Sequence, residues 1–171
     1  DLIIASSGIK VDYFDKKMGF LSLFKRGDAR VSKPKTYTPK FKAGLALSGG
    51  GARGFAHIGV IRAFEENDID FPIVTGTSVG SLVGSIYAYG LNSQEMIELA
   101  KSIDAREIRT SKLFFRPSPS KNIENLMYKI YEDIKFSDLP KKFALSTVDL
   151  KTGGEVVITE GNLAKAVSAS C

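Results

Sequence analysis

Two short apolar segments, each leading through a glycine-containing loop into a helical pattern, constrain the fold of this chain more than any other feature. The first is "AGLALS" at 43–48, a predicted strand that precedes the helical spacing of "FAHIGVIRAFEEN" at 55–67. The second is "FPIVTGT" at 71–77, followed by the almost wholly apolar "VGSLVGSIYAYG" at 79–90. Strands that alternate with helices predict an α/β fold in which helices cover both faces of a parallel sheet.

The rest of the chain continues this alternation. Asn92 and Glu95 form a capping box that predicts a helix over 93–103. The other predicted elements are a helix over about 122–133, strands within "KFALSTVDL" and "GEVVITE", and a last helix opened by Gly161 and Asn162.

Composition and charge divide the chain into a basic segment and one folded domain. Its 171 residues are 43% hydrophobic and 25% charged, which suits a single globular domain. Residues 1–42 hold ten Lys or Arg against four Asp, a net charge of +6 in a chain whose total is +5. Pro34 and Pro39 predict a linker over 32–42. We therefore interpret 1–42 as an N-terminal arm and 43–171 as the domain.

The basic arm permits two interpretations. It is either a solvated arm or a segment attracted to anionic surfaces such as phospholipid headgroups. Within it, "MGFLSLFKR" at 18–26 places apolar side chains beside basic ones, a composition suited to a lipid interface. A non-catalytic module that binds membrane surfaces is therefore one hypothesis for this chain.

Signals for a metal, a disulfide or a membrane span are lacking in the sequence. Cys171 is the single cysteine, and no zinc-type spacing surrounds it. No stretch approaches the roughly 18 uninterrupted apolar residues of a membrane-spanning helix. We expect no metal and no cofactor, and we assign no subcellular compartment.

The first glycine loop, "SGGGARG" at 48–54, is compatible with nucleotide binding as well as with catalysis. Three of its glycines have the G-x-G-x-x-G spacing of a Rossmann-type domain: Gly49, Gly51 and Gly54. Such a domain needs an acidic residue at the end of the second strand, whereas Asp68 and Asp70 precede that strand. A Rossmann-type nucleotide-binding domain is therefore the alternative enzyme class.

The second loop, "TGTSVGS" at 75–81, is a Gly-x-Ser-x-Gly sequence centred on Ser78. Small residues beside a serine at a strand-to-helix turn are what an exposed nucleophile needs, although a turn serine or a helix cap is also compatible with the pattern. We expect the strand at 43–48 to lie beside the strand at 71–75, which would bring both loops to one edge of the sheet. Amides of the first loop would then form an oxyanion hole facing Ser78.

These segments together resemble the patatin-like phospholipases. "GLALSGGGARGFAHIGVIRAFEEN" and "GTSVGSLVGSIYA" carry the resemblance, and "ALSTVDLKTGG" and "AVSASC" are similar to later segments of that family. The resemblance covers roughly 43–171. It implies a patatin-like fold and a calcium-independent lipid acyl hydrolase that uses a serine and an aspartate without a histidine. It also implies phospholipid or another lipid ester as substrate, action at a membrane surface, and no nucleic-acid partner.

The resemblance assigns roles to residues of the two loops. Ser78 would be the nucleophile, and the oxyanion hole would consist of backbone amides in the first loop: Gly49, Gly50, Gly51 and Arg53. The other glycines of the two motifs are Gly54, Gly76 and Gly80.

The general base is not evident among the residues of this chain. His57, the single histidine, corresponds to a helix residue of the family, so we interpret it as a packed or capping imidazole. The aspartate of the family lies in an Asp-Gly-Gly or Asp-Gly-Ala motif after the segment that "AVSASC" resembles, and neither tripeptide occurs here. Asp149 matches a different strand. We therefore expect the base after residue 171, on a C-terminal part of the domain that packs near Cys171.

Overall fold

A computed structural model of the chain describes residues 2–5, 43–102 and 120–171. Within these ranges, five strands form one sheet in the order of the chain. The strands are β1 (Leu2–Ala5), β2 (Gly44–Leu47), β3 (Ile73–Thr77), β4 (Lys142–Val148) and β5 (Glu155–Ile158). The first four strands pair in parallel, which confirms the predicted α/β class with a mainly parallel sheet.

The helices fall where the sequence predicts them, within a few residues at each end. They are α1 (Ala56–Glu65), α2 (Val79–Tyr89), α3 (Ser93–Ser102), α4 (Ser120–Tyr131) and α5 (Leu163–Ser170), with short 3-10 helices at Gly51–Phe55 and Phe136–Asp138. The predicted capping box is present, because Asn92 Oδ1 accepts from the Glu95 amide at 2.9 Å and Glu95 Oε2 accepts from the Asn92 amide at 2.8 Å. None of the helices in the described ranges is long and apolar enough to cross a bilayer.

Two strands differ from the prediction. β1 pairs in parallel with β2 and adds an edge strand from a part of the chain where the sequence indicated none. β5 pairs with β4 in the antiparallel direction, because the six residues at 149–154 are too few for the crossover that a parallel pair requires. Whether residues 1–42 otherwise act as an arm stays a prediction, since most of them lie outside the described residues.

The core lies on the face of the sheet that packs against α2. Alternate residues of the central strands point there and are buried: Leu45, Leu47, Val74, Phe143 and Leu145. Gly84 on α2 sits close to the side chains of Leu47, Val74 and Phe143, so the absence of its own side chain lets this helix lie against the sheet. On the opposite face, Ile73 is 46% exposed and a cleft of about 290 Å³ runs beside β3 and β4.

Candidate active site

Ser78 occupies a sharp turn between β3 and α2. Its φ of 51° and ψ of −127° are values that non-glycine residues rarely adopt. The following turn of helix holds this conformation, because the Ser78 carbonyl accepts from the Ser81 amide at 2.8 Å and from Ser81 Oγ at 2.6 Å. Such a strained main chain at a half-buried serine is the geometry of a nucleophile elbow.

The two glycines of the Gly-x-Ser-x-Gly motif are required by close backbone packing. A Cβ on Gly76 would lie 2.3 Å from the Gly80 carbonyl oxygen, and a Cβ on Gly80 would lie 2.2 Å from that of Leu47. The end of β2, the end of β3 and the start of α2 therefore meet without room for side chains. This packing brings the first glycine loop next to the elbow.

The first glycine loop lies directly against Ser78. A Cβ on Gly49 would be 3.4 Å from Ser78 Cβ, and one on Gly54 would overlap Val79, the residue after Ser78. Gly51 has a φ of 55°, a left-handed conformation that favours glycine. The predicted arrangement, with both loops at one edge and the two strands adjacent, is confirmed.

The amides of this loop differ in their availability as donors. The Arg53 amide donates to the Gly50 carbonyl at 3.2 Å inside the loop. Among the described residues, no hydrogen bond uses the amide of Gly49 or of Gly50 as a donor, and Gly51 begins its 3-10 helix, where the first amides lack a helical acceptor. The three glycine amides are therefore better placed than the Arg53 amide to bind an anion.

His57 is fully buried behind the glycine loop. Its Nε2 donates to the Ser48 carbonyl at 2.8 Å, so this nitrogen carries the proton, because a carbonyl oxygen can only accept. Its Nδ1 has no hydrogen-bond partner in the described part of the chain. The imidazole is packed, as predicted, and it anchors the residue that precedes the three glycines.

Asp149 belongs to the turn between β4 and β5. Its Oδ1 accepts from the Lys151 amide at 2.8 Å. This bond, followed by a hydrogen bond from the Thr152 side chain, lowers the pKa of Asp149 below its ordinary value. The turn uses this carboxylate locally, which agrees with leaving it out of the catalytic assignment.

The C-terminal end of α5 also reaches the elbow, a contact that the sequence did not predict. Ser170 Oγ accepts from the Ser78 amide at 2.9 Å and donates to the Ser146 carbonyl at 2.7 Å. Beside it, Thr147 Oγ1 donates to the Ala169 carbonyl at 2.6 Å. The segment "AVSASC" at 166–171, which resembles a later segment of the family, therefore closes one side of the site.

A metal centre has no support in the described ranges, where no group of three or more His, Cys, Asp or Glu side chains could hold an ion.

Cys171 Sγ lies 3.9 Å from Ser81 Oγ. Burial of this sulphur raises the pKa of the thiol, although the residue as a whole is exposed at the end of α5.

Comparison with known proteins identifies the family. The model of the patatin-like phospholipase family matches residues 45–171. The lysophospholipase NTE1 of Pyricularia oryzae is 34% identical over 134 residues, which are 74% of this chain and 9% of that protein. An uncharacterized NTE family protein of Mycobacterium tuberculosis is 34% identical over 136 residues, which are 75% of this chain and 37% of the relative.

A solved structure agrees at the level of the fold. The type III effector protein ExoU superposes with a TM-score of 0.54 at 18% identity, covering 77% of this chain and 39% of ExoU. The chain thus spans less than two-fifths of the length of each of these three proteins. Since the family model covers most of the chain and includes both glycine loops, the chain belongs to the patatin-like phospholipase family.

Proposed function

We propose that this chain carries the nucleophile and the oxyanion hole of a lipid acyl hydrolase, with Ser78 as the nucleophile. The observation that carries the proposal is the contact between the glycine loop and a serine held at positive φ. A strained elbow positions a hydroxyl, and donors beside it stabilise the charge that develops when this hydroxyl attacks an ester. The nucleotide-binding alternative loses its basis, because both glycine loops fall within the matched family segment.

The proposed reaction proceeds through an acyl-enzyme. Ser78 Oγ attacks the ester carbonyl, and the resulting oxyanion accepts hydrogen bonds from the glycine-loop amides near the positive N-terminal end of α2. The lysolipid or glycerol-containing alcohol leaves with a proton, and water then hydrolyses the ester on Ser78 to release the fatty acid. The general base in this scheme is the motif aspartate that the family resemblance expects after residue 171.

An aspartate is a weak base for this chemistry, so the oxyanion hole must supply much of the rate enhancement. The ordinary pKa of an aspartate is about 3.9, far below that of a serine hydroxyl. Loss of one oxyanion-hole donor typically lowers kcat by about 10²–10³-fold. We therefore assign this role to the amides of Gly49, Gly50 and Gly51, and only secondarily to that of Arg53.

The substrate class follows from the relatives and from the charge of the chain. One relative is named a lysophospholipase, which favours a single-chain phospholipid ester as substrate here. The N-terminal charge of +6 favours work at an anionic membrane surface, in line with a peripheral enzyme. No cofactor enters the proposed reaction.

Fatty-acid release from lysophospholipid tests this proposal. The full-length protein is expected to release fatty acid from lysophosphatidylcholine at the same rate with and without EDTA, because no step of the reaction uses a metal. Binding to phospholipid vesicles without any fatty-acid release would instead support the non-catalytic membrane-binding module.

Substitution of His57 separates a packed imidazole from a catalytic one. Because His57 is fully buried, His57→Ala is expected to lower the free energy of unfolding by about 2–4 kcal/mol. His57→Gln keeps an N–H that can reach the Ser48 carbonyl and is expected to cost less. At temperatures where both variants are folded, kcat should stay within about 10-fold of wild type, whereas a serine–histidine mechanism requires a loss of about 10⁴-fold or more.

A further inference from the structure

We infer that Ser170 is a positioning residue that holds the main chain of Ser78 in its reactive conformation. This inference rests on the proposed function, in which Ser78 is the nucleophile. Ser170 lies 92 positions after Ser78 and belongs to neither glycine motif. Its side chain acts on the amide of Ser78 and has no assigned contact with substrate.

The Ser170 hydroxyl uses both of its hydrogen-bonding roles to join three elements. It accepts from the Ser78 amide at 2.9 Å, and its own proton goes to the Ser146 carbonyl at 2.7 Å. Since the hydrogen atom is committed to Ser146, the lone pairs remain directed to Ser78. The elbow, β4 and the end of α5 are thereby fixed relative to one another.

The Ser78 amide needs this acceptor because regular structure supplies none. The parallel ladder between β3 and β4 ends at the pair Thr77 and Ser146, one residue before Ser78. On the other side, Ser78 is the N-cap of α2, where the amide precedes the helical hydrogen bonds. The hydroxyl of Ser170 therefore takes the place of a ladder or helix partner at the point where the backbone is strained.

The hydrogen bond from the Ser78 amide to Ser170 bears on catalysis because the peptide unit before Ser78 sets the direction of the attacking hydroxyl. At a φ of 51° and a ψ of −127°, the main chain relaxes toward ordinary values if its restraints are removed. A shift of about 1 Å in a reacting atom can cost about 10²-fold in rate. Loss of the Ser170 hydroxyl is therefore expected to reduce turnover more than substrate binding.

The test compares Ser170→Ala, Ser170→Thr and Ser170→Cys in the full-length protein. Ser170→Ala should lower kcat for lysophosphatidylcholine by about 10- to 100-fold and leave KM within about 2-fold. The rate constant for modification of Ser78 by a fluorophosphonate should fall in parallel. Ser170→Thr keeps the hydroxyl and should recover most of the activity. Ser170→Cys keeps the shape of the side chain with a weaker hydrogen-bonding group and should be intermediate, so it also serves if the alanine variant fails to fold.

Thr147→Val is the matched control. Thr147 joins β4 to α5 through a hydrogen bond to the Ala169 carbonyl, next to Ser170, and no hydrogen bond connects it with Ser78. This variant should keep kcat within about 2-fold of wild type, because the Ser78 amide keeps its partner. An equal loss in Thr147→Val and Ser170→Ala would overturn the inference, since the effect would then come from docking of α5.

Failure of the inference can be distinguished from failure of the proposed function. If the fluorophosphonate modifies Ser78 in the wild type and at the same rate in Ser170→Ala and Ser170→Cys, the inference alone is wrong. If the wild type is not modified at Ser78, the nucleophile assignment is wrong, and the inference is overturned with it.

Discussion

Ser78→Ala is expected to lower kcat for ester hydrolysis by about 10⁴-fold or more. The reason is that the substitution removes the atom that forms the acyl-enzyme, and residues that act as one catalytic unit lose nearly all of their effect together. Fatty-acid release from lysophosphatidylcholine by the full-length variant measures this loss. Retention of more than about 1% of wild-type activity would show that another residue is the nucleophile.

Ser78→Gly is the control that separates catalysis from folding. It also removes the nucleophile, but glycine accepts the φ of 51° and the ψ of −127° of this position without strain. Its free energy of unfolding should exceed that of Ser78→Ala by about 1–2 kcal/mol. Equal inactivity of two variants with different stabilities would show that activity is lost through chemistry and not through unfolding.

Gly80→Ala is expected to lower the free energy of unfolding by about 3 kcal/mol. The added Cβ would lie 2.2 Å from the Leu47 carbonyl oxygen and 2.6 Å from that of Ser48, and neither backbone atom can rotate away. The start of α2 must therefore separate from the glycine loop, at a cost near the upper end for overpacked interiors. Urea denaturation measures the change, and activity should fall with it because the loop moves away from Ser78.

Gly59→Ala provides the matched glycine substitution for Gly80→Ala. Gly59 lies inside α1, and a Cβ there would meet no heavy atom within 4 Å. Since alanine favours a helix more than glycine does, this variant should gain about 0.5–1 kcal/mol in the free energy of unfolding. A Gly80→Ala variant as stable as wild type would contradict the packing of β2 against the elbow.

The local elements of this fold were predictable because the sequence repeats a strong pattern. Apolar runs that end in glycine or in a small residue, followed by helical spacing, fix where β2, β3, α1 and α2 begin. The same pattern placed both glycine loops at one edge of the sheet, since parallel strands that each lead into a helix end on the same side. The capping residues of α3 were readable for the same reason, because a cap depends on near neighbours in the chain.

The features that the sequence did not predict depend on contacts between distant segments. β1 has only four residues, a run too short to predict a strand from the sequence. The direction of β5 follows from the turn at 149–154, which is too short for a parallel crossover. β5 is therefore antiparallel to β4, although the earlier strands pair in parallel. The bond from the Ser78 amide to Ser170 joins residues 92 positions apart, and a serine near a helix end carries no sign of such a partner.

The assignment of Ser78 as the nucleophile is tested most directly by mapping the site of covalent modification. The full-length protein is treated with a fluorophosphonate, digested and analysed by mass spectrometry, with and without an excess of lysophosphatidylcholine. We predict one adduct, on the peptide that contains Ser78, which forms more slowly in the presence of the lipid and does not form in Ser78→Ala. An adduct on a different residue would contradict the account. So would lipid hydrolysis that persists after treatment while Ser78 stays unmodified.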